Sequence, residues 1–361
     1  RLPEYRAVAL SRAPLVAYRD FGPIGVFMGY DFHVTSEGPR LIEVNTNAGG
    51  AFLNAFLARA QHACCAEALA PLEVDSAAVS GEKIVRMFID EWRLQRGHGK
   101  PRRIAIVDDV PELQHLYPEF QLAKALLEES GIETIITDAE QFNLVGHALS
   151  INGRSIDLVY NRLVDFSLEE PRHAALRTAY LADGIVVTPN PHVHALYADK
   201  RNLALLSEFA RLKQWELSPS HITALETGVL KTVVVSANNA EKLWRGRSRL
   251  FFKPARGYGS KAAYRGDKVT RRVWDEIIAG DYVAQAYAPP GIRGIALAGV
   301  RSELKVDVRL YTYAGNALLA AARLYRGQTT NMRTPGGGFA PVLEVGSYAH
   351  DCGDSLAPRI R

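Results

Sequence analysis

Apolar and polar residues alternate through two adjacent stretches near the start of the chain. The first runs from Tyr30 to Thr35 and the second from Leu41 to Val44, with Glu37-Gly38-Pro39 between them. An alternation of period two is typical of a half-buried β-strand, and a Glu-Gly-Pro segment between two such runs is a turn signal. The pattern therefore predicts a β-hairpin.

Helical periodicity follows the hairpin. Residues Ala51 to Leu69 form a helical run that opens after Gly49-Gly50 and is expected to end at Pro71. A second helix is predicted near Gly81 to Arg96, where one face carries Ile84, Val85, Phe88, Ile89 and Trp92. The basic, glycine-containing segment from Arg96 to Arg103 is interpreted as a linker.

The period then changes to alternating strands and helices. A buried strand is predicted from Arg103 to Asp108, an amphipathic helix from Glu119 to Ser130, and another strand from Ile132 to Thr137. After an Asn152-Gly153 hairpin turn, a third strand of this sheet is predicted from Asp157 to Tyr160. The βαβ order predicts a parallel sheet, so an α/β fold is expected.

The second half of the chain reads as a compact α+β lobe and a final hairpin. A helix is predicted from Asp199 to Leu212, and the segment from Thr232 to Tyr287 alternates strand, helix, strand, strand, helix, strand. The segment Ala288-Pro289-Pro290-Gly291 is interpreted as a linker, and an antiparallel hairpin is predicted from Lys305 to Tyr325. The coarse expectation is a mixed α/β protein with α+β lobes.

Composition narrows the class of protein. A chain of 361 residues with 47% hydrophobic residues can bury large cores and is expected to divide into two or three lobes. The net charge of +4 is too mild and too dispersed to indicate nucleic acid. Three cysteines, two of them adjacent, argue against a disulfide framework and fit a reducing cytoplasm. Neither an apolar run of membrane-spanning length nor a signal-peptide pattern is present in the sequence.

Three hard oxygen ligands fall on the predicted hairpin. Glu43 and Asn45 are two residues apart on one strand and share a face, and Asp31 can lie across from them. Such a set suits Mg²⁺, which takes one or two carboxylates and completes its octahedron with water and substrate phosphate. The alternative is a polar strand face in water. Gly49-Gly50, before a helix, likewise offers N–H groups to an anion or simply allows close packing.

Arg162 and a pair of histidines are further candidate site residues. Arg162 follows the strand that ends at Tyr160, and ligands collect beyond strand C-termini in open α/β sheets, so Arg162 is a candidate for a substrate carboxylate. A surface arginine is the alternative. His192 and His194 have a spacing that suits a strand-borne metal pair, but a loop is favoured.

Basic residues beside glycine recur in the second half. Lys253 is expected on a buried strand before the segment Arg256-Gly257-Tyr258-Gly259-Ser260, where an ammonium and free N–H groups can surround a phosphate. The spacing fits neither a Walker loop nor a Rossmann turn. Arg309, Arg323 and Arg333 lie on the final hairpin and near a glycine-rich loop, as an anionic reacting centre requires. A flexible loop tip is the alternative.

Taken in order, these motifs resemble the ATP-grasp superfamily in a circularly permuted form, as in eukaryotic-type glutathione synthetase and related bacterial proteins. Leu41-Ile42-Glu43-Val44-Asn45-Thr46 with Gly49-Gly50 is similar to the metal motif that ends an unpermuted enzyme, and here it comes first. The region through Asn161-Arg162 resembles the substrate-binding lobe. The fold implied is a permuted ATP-grasp fold with an inserted Rossmann-like parallel-sheet lobe.

The resemblance implies roles residue by residue. Lys200 and Lys253 correspond to the nucleotide lysines. Gln285, Ala286 and Tyr287 are expected to bind the nucleotide, and the backbone groups of the segment that follows, Ala288-Pro289-Pro290-Gly291, are expected to be free to pair with an adenine edge. Arg256, Gly257, Gly259 and Ser260 correspond to the loop over the phosphates. Arg309, Arg323 and Arg333 are the expected catalytic arginines, and Asn47, Arg162, Gly336 and Gly337 the expected substrate contacts.

One departure concerns the metal. Glutathione synthetases carry a glutamate ligand in the glycine-rich loop, where this chain has Gly257. Asp31, spaced before Glu43 as in unpermuted ATP-grasp ligases, is expected to replace it, so that Asp31, Glu43 and Asn45 form the metal trio. The same departure argues against glutathione itself as the product.

The implied activity is ATP-dependent amide formation between a small amino-acid or peptide-like acid and an amine, through an acylphosphate and with release of ADP. The implied cofactors are ATP and Mg²⁺, with Mn²⁺ as an alternative metal, and the resemblance suggests a homodimer. The alternatives are an ATP-grasp kinase of small molecules and a nucleotide-binding module without turnover. The expected divisions are residues 1–98 with the metal motif, 99–200 as substrate lobe, 201–291 as nucleotide lobe with its lid, and 292–361 with the core strands.

Overall fold

The computed structural model describes residues 2–60, 68–71, 81–257, 262–297, 299–331 and 334–345. Within these ranges the α-helices are α1 Pro3–Leu10, α2 Ala51–Ala60, α3 Gly81–Arg96, α4 Tyr117–Glu129, α5 Ala174–Leu181, α6 Pro191–Tyr197, α7 Arg201–Leu206, α8 Phe209–Gln214, α9 Pro219–Gly228, α10 Ala240–Gly246 and α11 Arg271–Ala279. The strands are β1 Met28–Thr35, β2 Gly38–Asn45, β3 Ala68–Pro71, β4 Arg103–Val107, β5 Glu133–Thr137, β6 Asn143–Val145, β7 Ala148–Ile151, β8 Arg154–Ser155, β9 Leu158–Asn161, β10 Val186–Thr188, β11 Thr232–Val234, β12 Leu250–Pro254, β13 Tyr264–Arg265, β14 Tyr282–Ala286, β15 Gly291–Leu297, β16 Val300–Tyr313, β17 Asn316–Tyr325, β18 Gly338–Pro341 and β19 Leu343–Val345. The expected mixed α/β architecture is confirmed.

An antiparallel sheet joins the two ends of the chain. Its strands run in the order β18-β17-β16-β1-β2, and β15 also pairs with β16. The predicted hairpin is therefore present as β1 and β2, and the predicted C-terminal hairpin as β16 and β17. A β-bulge leaves Ile42 as an extra residue on β2, because Asp31 pairs with Glu43 while Phe32 pairs with Leu41. Bulges of this kind re-aim neighbouring side chains and are frequent beside functional sites.

The predicted βαβ region forms a four-stranded parallel sheet in the order β10-β9-β4-β5. Strands β4, β9 and β10 are buried on both faces, which explains their nearly continuous apolar runs, while β5 at the edge is partly buried. Val107 pairs with Asn161, so the next residues, Asp108 and Arg162, leave two adjacent strands at the same carboxyl edge. The predicted hairpin turn is also present, since Asn152 and Gly153 both have positive φ, 51° and 73°.

The predicted α+β lobe has the expected order of elements, β11, α10, β12, β13, α11 and β14. Its antiparallel sheet runs β11-β14-β12-β13. Phe252, Trp274 and Ile277 form the centre of its core. This lobe carries Lys253 on β12 next to Gln285 on β14, and both face the central sheet.

A continuous core ties the central sheet to the parallel sheet. Phe27, Phe52, Phe88 and Tyr160 form an aromatic cluster there, with ring centroids 5.1 to 6.5 Å apart. Tyr311 of β16 belongs to the same cluster of buried residues. The opposite face of the parallel sheet packs separately, against α5 and Leu163.

Several predicted boundaries were wrong. The helix expected to reach Leu69 is described only to Ala60, and residues 68–71 form β3, which pairs with β19. The helix expected over 199–212 is two short helices, because Ser207 ends α7 and donates its hydroxyl to Ala204 O and Thr232 O. Strand β15 was not anticipated, since its two glycines interrupt the strand pattern.

The loop expected around His192 and His194 is helix α6. The side chain of Asn190 caps this helix by accepting from the N–H of Val193, and Pro191 occupies the first helical position. An Asn-Pro pair at a helix start is the signal that the loop interpretation overlooked. Residues two apart on a helix face different ways, so the two histidines do not form a metal pair.

Candidate active site

The register of the central sheet places the candidate metal ligands on one face. Asp31 pairs directly with Glu43 on β2 and with Arg309 on β16. Directly paired residues point to the same side of a sheet, as do residues two apart on one strand. Asn45 accordingly joins them, and its amide donates to Asp31 Oδ2 at 3.0 Å.

Asp31 is enclosed by arginine. Arg309 donates to its two carboxylate oxygens at 2.6 and 2.8 Å, and Arg323 donates to Oδ2 at 2.8 Å. Burial alone raises the pKa of Asp31, but the two guanidinium groups outweigh it and lower that pKa to about 2. Arg323 also donates to Asp307 at 2.5 Å. The charge of the Asp31 carboxylate is thus neutralised by arginine side chains, and both of its oxygens are already hydrogen-bonded rather than open to a metal ion.

Glu43 lies between the two candidate nucleotide lysines. Its carboxylate is 3.1 Å from Lys200 Nζ, and its side chain is 30% exposed. Burial opposes the charge of Glu43, while Lys200 and Lys253 lower its pKa below the usual value. Lys253 Nζ donates to Ile42 O at 2.7 Å and to Gln285 Oε1 at 2.9 Å. Burial and the nearby charge of Lys200 lower the pKa of Lys253 to about 8, against the opposing effect of Glu43.

A cavity of about 360 Å³ lies on the side of Lys253. Its lining includes Phe251, Lys253, Gln285, Ala286, Tyr287 and Ala288 from the small lobe, Glu43 and Lys200 from the other side, and Thr329 and Thr330 from the segment after β17. The predicted hinge residues therefore line this cavity. The N–H groups of Ala286 and Tyr287 already donate to Lys231 O and Arg249 O, at 2.8 and 2.9 Å. These two N–H groups are therefore paired within the protein.

A larger cavity of about 740 Å³ lies between the central sheet and the carboxyl edge of the parallel sheet. Its lining includes Glu43, Asn45, Asn47, Asp108, Arg162, His194, Lys200, Arg256, Gly257 and Arg309. Glu43, Lys200 and Gly257 line both cavities. The two cavities thus meet at the Glu43–Lys200 ion pair.

Arg162 is buried at the wall of the larger cavity, with 7% of its surface exposed. It donates to Asn47 Oδ1, and its guanidinium lies 5.3 Å from the ring centre of Tyr160. Asp108 lines the same cavity and is 9% exposed. Burial raises the pKa of Asp108 to about 6, against the opposing effect of Arg162. The surface-arginine alternative for Arg162 is therefore excluded.

Two groups of cavity residues were missed by sequence reasoning. Ala9, Arg12, Ala13 and Pro14 from the segment after α1 form part of the larger cavity's wall. His194 and Phe166 also line it, stacked with ring centroids 3.7 Å apart. Only the Asn-Pro helix start before His194 carried a local signal; the rest depends on contacts between distant segments.

The glycine pair before α2 does not present an open anion site. Gly50 N and Phe52 N donate to the carboxylate of Glu119, at 2.7 and 3.0 Å. Glu119, on α4, is 1% exposed. The anion at this helix N-terminus is therefore a side chain of the protein itself, and the close-packing interpretation of Gly49-Gly50 agrees with the contact that a side chain at Gly50 would make with Phe339.

The remaining candidate residues lie in several places. Gly259, Ser260 and Arg333 are outside the described residues. Arg323 lies behind Arg309 and is 8% exposed. Gly336 and Gly337 form a turn that is closed by the bond from Gly337 N to Thr334 O, 2.7 Å long. Among the described parts of the two cavity walls, neither glycine is found.

One further cluster has metal-ligand chemistry. Asp109, Glu170 and His173 have ligand atoms within 4.8 Å of one another. The two ring nitrogens of His173 lie 2.9 Å from Asp109 and 2.8 Å from Asp165. Burial opposes a charge on His173, but the two carboxylates raise its pKa above the usual value. Both ring nitrogens of His173 are thus engaged by carboxylates, and neither is open to a metal ion among the described residues.

The sequence matches no protein-family model. It also matches no curated protein. No helix among the described residues combines the length and apolar character needed to cross a membrane.

The fold is similar to that of a candidate gamma-glutamylcysteine synthetase from Methylobacillus flagellatus KT, with a TM-score of 0.53 and 10% sequence identity over 95% of this chain and 84% of that chain. Lower TM-scores are found for the D-cycloserine synthetase DcsG, 0.37 at 20% identity over 69% of this chain and 77% of that one. For the ATP-grasp ligase PsnB, complexed with minimal precursor, Mg and ADP, the TM-score is 0.31 at 13% sequence identity. That comparison covers 67% of this chain and 88% of that chain. At such identities the first comparison is one of fold.

Proposed function

We propose that this protein is an ATP-dependent carboxylate–amine ligase that forms an amide through an acylphosphate and releases ADP. The observation that carries the proposal is the meeting of two cavities at Glu43 and Lys200. Phosphoryl transfer requires the γ-phosphate and the accepting carboxylate to lie next to each other in the correct orientation. A nucleotide in the smaller cavity and an acid in the larger one would meet at this ion pair.

The smaller cavity has the chemistry of a nucleotide site. Phe251 and Tyr287 offer apolar surface to a base, and Lys200 and Lys253 offer two ammonium groups to the phosphates. A volume of about 360 Å³ is within the range of pockets that enclose a ligand of this size. Phosphoryl transfer asks a protein mainly for positioning and for cations along the phosphates, which these lysines supply.

The larger cavity has the chemistry of an acid-binding site. Arg162 can hold a substrate carboxylate in a bidentate manner, and Asn47, to which Arg162 donates, fixes the direction of its guanidinium. Arg309 reaches the same cavity from the other side. Its guanidinium is suited to stabilise negative charge on the acylphosphate and on the tetrahedral oxyanion that follows.

Glu43 and Asn45 fit a magnesium ion better than Asp31 does. Glu43 stands at the cavity junction with one oxygen near Lys200, and Asn45 shares its face and lines the larger cavity. Both oxygens of Asp31 are occupied by guanidinium groups, so Asp31 would join the ligands only after those groups move. A bound Mg²⁺ supplies charge neutralisation for the phosphate oxygens.

The permutation and the four divisions of the chain belong to the same proposal. Glu43 and Asn45 lie on β2, early in the chain, and β1, the partner of β2, also pairs with β16 from late in the chain. That pairing supports a metal motif which completes the sheet of a permuted enzyme. The parallel sheet inserted between β2 and the nucleotide lobe supports residues 99–200 as the substrate lobe.

The test is ADP release from ATP and Mg²⁺ across a panel of amino acids, small peptides and primary amines, followed by trapping with hydroxylamine. We expect ADP release that requires both an acid and an amine, and a hydroxamate when hydroxylamine replaces the amine. Phosphorylation of a hydroxyl with no hydroxamate would favour a kinase. Nucleotide binding without phosphate release across the panel would favour a module without turnover.

A further inference from the structure

His194 lies in the wall of the larger cavity. Its Nδ1 is 2.9 Å from the hydroxyl of Thr46, which directly follows Asn45 at the end of β2. Its ring is stacked on Phe166 with an interplanar angle of 9°. Both contacts fix the ring in the wall of the larger cavity, on the side that carries Glu43, Asn45 and Lys200.

The bond between His194 and Thr46 involves the ring nitrogen Nδ1. The second ring nitrogen, Nε2, has no hydrogen-bond partner among the described residues. Most carboxylates of the cavity are already committed to cations. Glu43 pairs with Lys200, Asp165 with His173, and Asp199 with Arg201. Each such carboxylate is a poor proton acceptor while its ion pair persists.

Asp108 and His115 are the other groups of the described cavity wall that can accept a proton. His115 is exposed and lies in the segment between β4 and α4, on the parallel-sheet side. Asp108 lies on that side as well. It leaves β4 at the carboxyl edge of the parallel sheet, beside Arg162, and accepts from the N–H of Asp109 at 2.9 Å. It therefore stands with the carboxylate-binding side of the cavity. His194, through Thr46, stands beside the cavity junction.

We propose that Nε2 of His194 is the general base that takes a proton from the attacking amine; this inference rests on the ligase function proposed above. The amine lone pair forms the C–N bond at the acylphosphate carbonyl, and the C–O bond to phosphate breaks with its electron pair on phosphate. Of the three protons of a primary ammonium, one stays on the amide nitrogen, one leaves as part of HPO₄²⁻, and one passes to Nε2 and then to solvent.

Burial is the main reason that the ring stays neutral, as a base must before it accepts a proton. Burial, Lys200 and Arg256 together lower the pKa of His194 to about 3, and Asp199 opposes them. Triphosphate bound by Lys200 brings negative charge to the same place and raises that pKa towards its usual value. Proton transfer to a positioned side chain contributes about 10²–10⁴ in rate.

The experiment compares His194→Asn with wild type for two nucleophiles, using the acid and the primary amine that give the fastest ADP release in the panel. Hydroxylamine is neutral at pH 7 and needs no base, whereas a primary ammonium does. We expect amine-dependent turnover to fall by about 10²–10⁴ in His194→Asn, while its hydroxamate formation stays close to that of wild type. The low-pH limb of the amine-dependent rate should also be lost in the variant.

The matched control is His192→Asn, on the same helix. His192 is 4% exposed and bonds to Ala17 O at 2.7 Å, and it is not among the described residues of either cavity wall. Any loss in this variant therefore measures disturbance of α6. Equal losses with amine and hydroxylamine in His194→Asn would assign the ring a merely structural role, and undiminished amine turnover would remove it from the mechanism. A wild-type enzyme that yields no hydroxamate would instead overturn the ligase proposal itself.

Discussion

Arg309 and Asp31 lie opposite each other on neighbouring strands, and one guanidinium donates to both oxygens of one carboxylate, at 2.6 and 2.8 Å. Arg323 and Asp307, also directly paired in the sheet, extend this contact to a buried group of two arginines and two aspartates. The formal charges of the four side chains cancel. Removing one member leaves a buried charge without its partner, and that is usually more costly than the pair is worth.

Asp31→Asn is expected to lower the free energy of unfolding at pH 7 by about 3–5 kcal/mol, measured by urea denaturation. The pKa of Asp31 in the folded protein, about 2, lies below its ordinary value of about 3.9. Its contribution to stability is therefore present above pH 4 and is lost as the pH falls towards 2. The variant should show a flatter stability curve in that window.

Asp20→Asn is the control for this prediction. Asp20 pairs with Arg6 at 2.9 Å, but the two side chains are 46% and 40% exposed. Such a pair is expected to contribute less than about 1 kcal/mol. Equal effects of the two substitutions would contradict the buried-group interpretation of Asp31.

The hairpin illustrates how far local pattern reaches. Its period-two alternation predicted β1 and β2 and the shared face of Glu43 and Asn45, because side chains alternate along any strand. The pattern did not identify the partner of Asp31, since Arg309 is 278 residues away along the chain. The local sequence predicts which side chains share a face of the sheet. Which side chain of the neighbouring strand contacts that face depends on the register between distant strands.

The same limit applies to the two cavities. The strand that carries Lys253 is a local pattern, and it was predicted from the sequence. The wall formed by Arg12, His194 and Phe166 brings together three distant segments, and no spacing within any of them indicates a cavity. The expected homodimer stays a prediction.

Glu43→Gln is expected to reduce acceptor-dependent ADP release by about 10²–10³ while the fold is retained. The substitution keeps the volume of the side chain and removes the charge that lies 3.1 Å from Lys200. The fold should tolerate it, because Glu43 is partly exposed. The measurements are ADP release at saturating ATP and the far-UV circular dichroism of the purified variant.

Glu37→Gln is the matched control on the same hairpin. Glu37 lies at the turn, is 78% exposed and pairs with Arg40. We expect this variant to keep wild-type turnover. Undiminished turnover in Glu43→Gln would remove Glu43 from the proposed metal site.

On the proposed function, Lys253 is expected to make nucleotide affinity dependent on pH. Because the pKa of Lys253 in the free protein is about 8, its ammonium loses its proton as the pH rises through that value. Affinity for ADP should therefore fall above pH 8, by at most tenfold for each pH unit, and Lys253→Met should bind more weakly at pH 7 and show no such decline. Calorimetric titration at pH 7 and pH 9 measures both effects. An unchanged decline in Lys253→Met would assign it to another group.

Glu119→Gln tests whether a side chain is the anion that holds the start of α2. The carboxylate accepts from Gly50 N and Phe52 N, and a carboxamide can offer only one oxygen while its NH₂ group faces a second N–H. We expect a loss of about 1–3 kcal/mol in the free energy of unfolding and faster amide hydrogen exchange at Gly50 and Phe52. Glu129→Gln, at the exposed end of the same helix, should leave both quantities unchanged. If Glu119→Gln behaved as Glu129→Gln does, the N–H groups before α2 would be available to an outside anion, and the glycine pair would return as a candidate phosphate site.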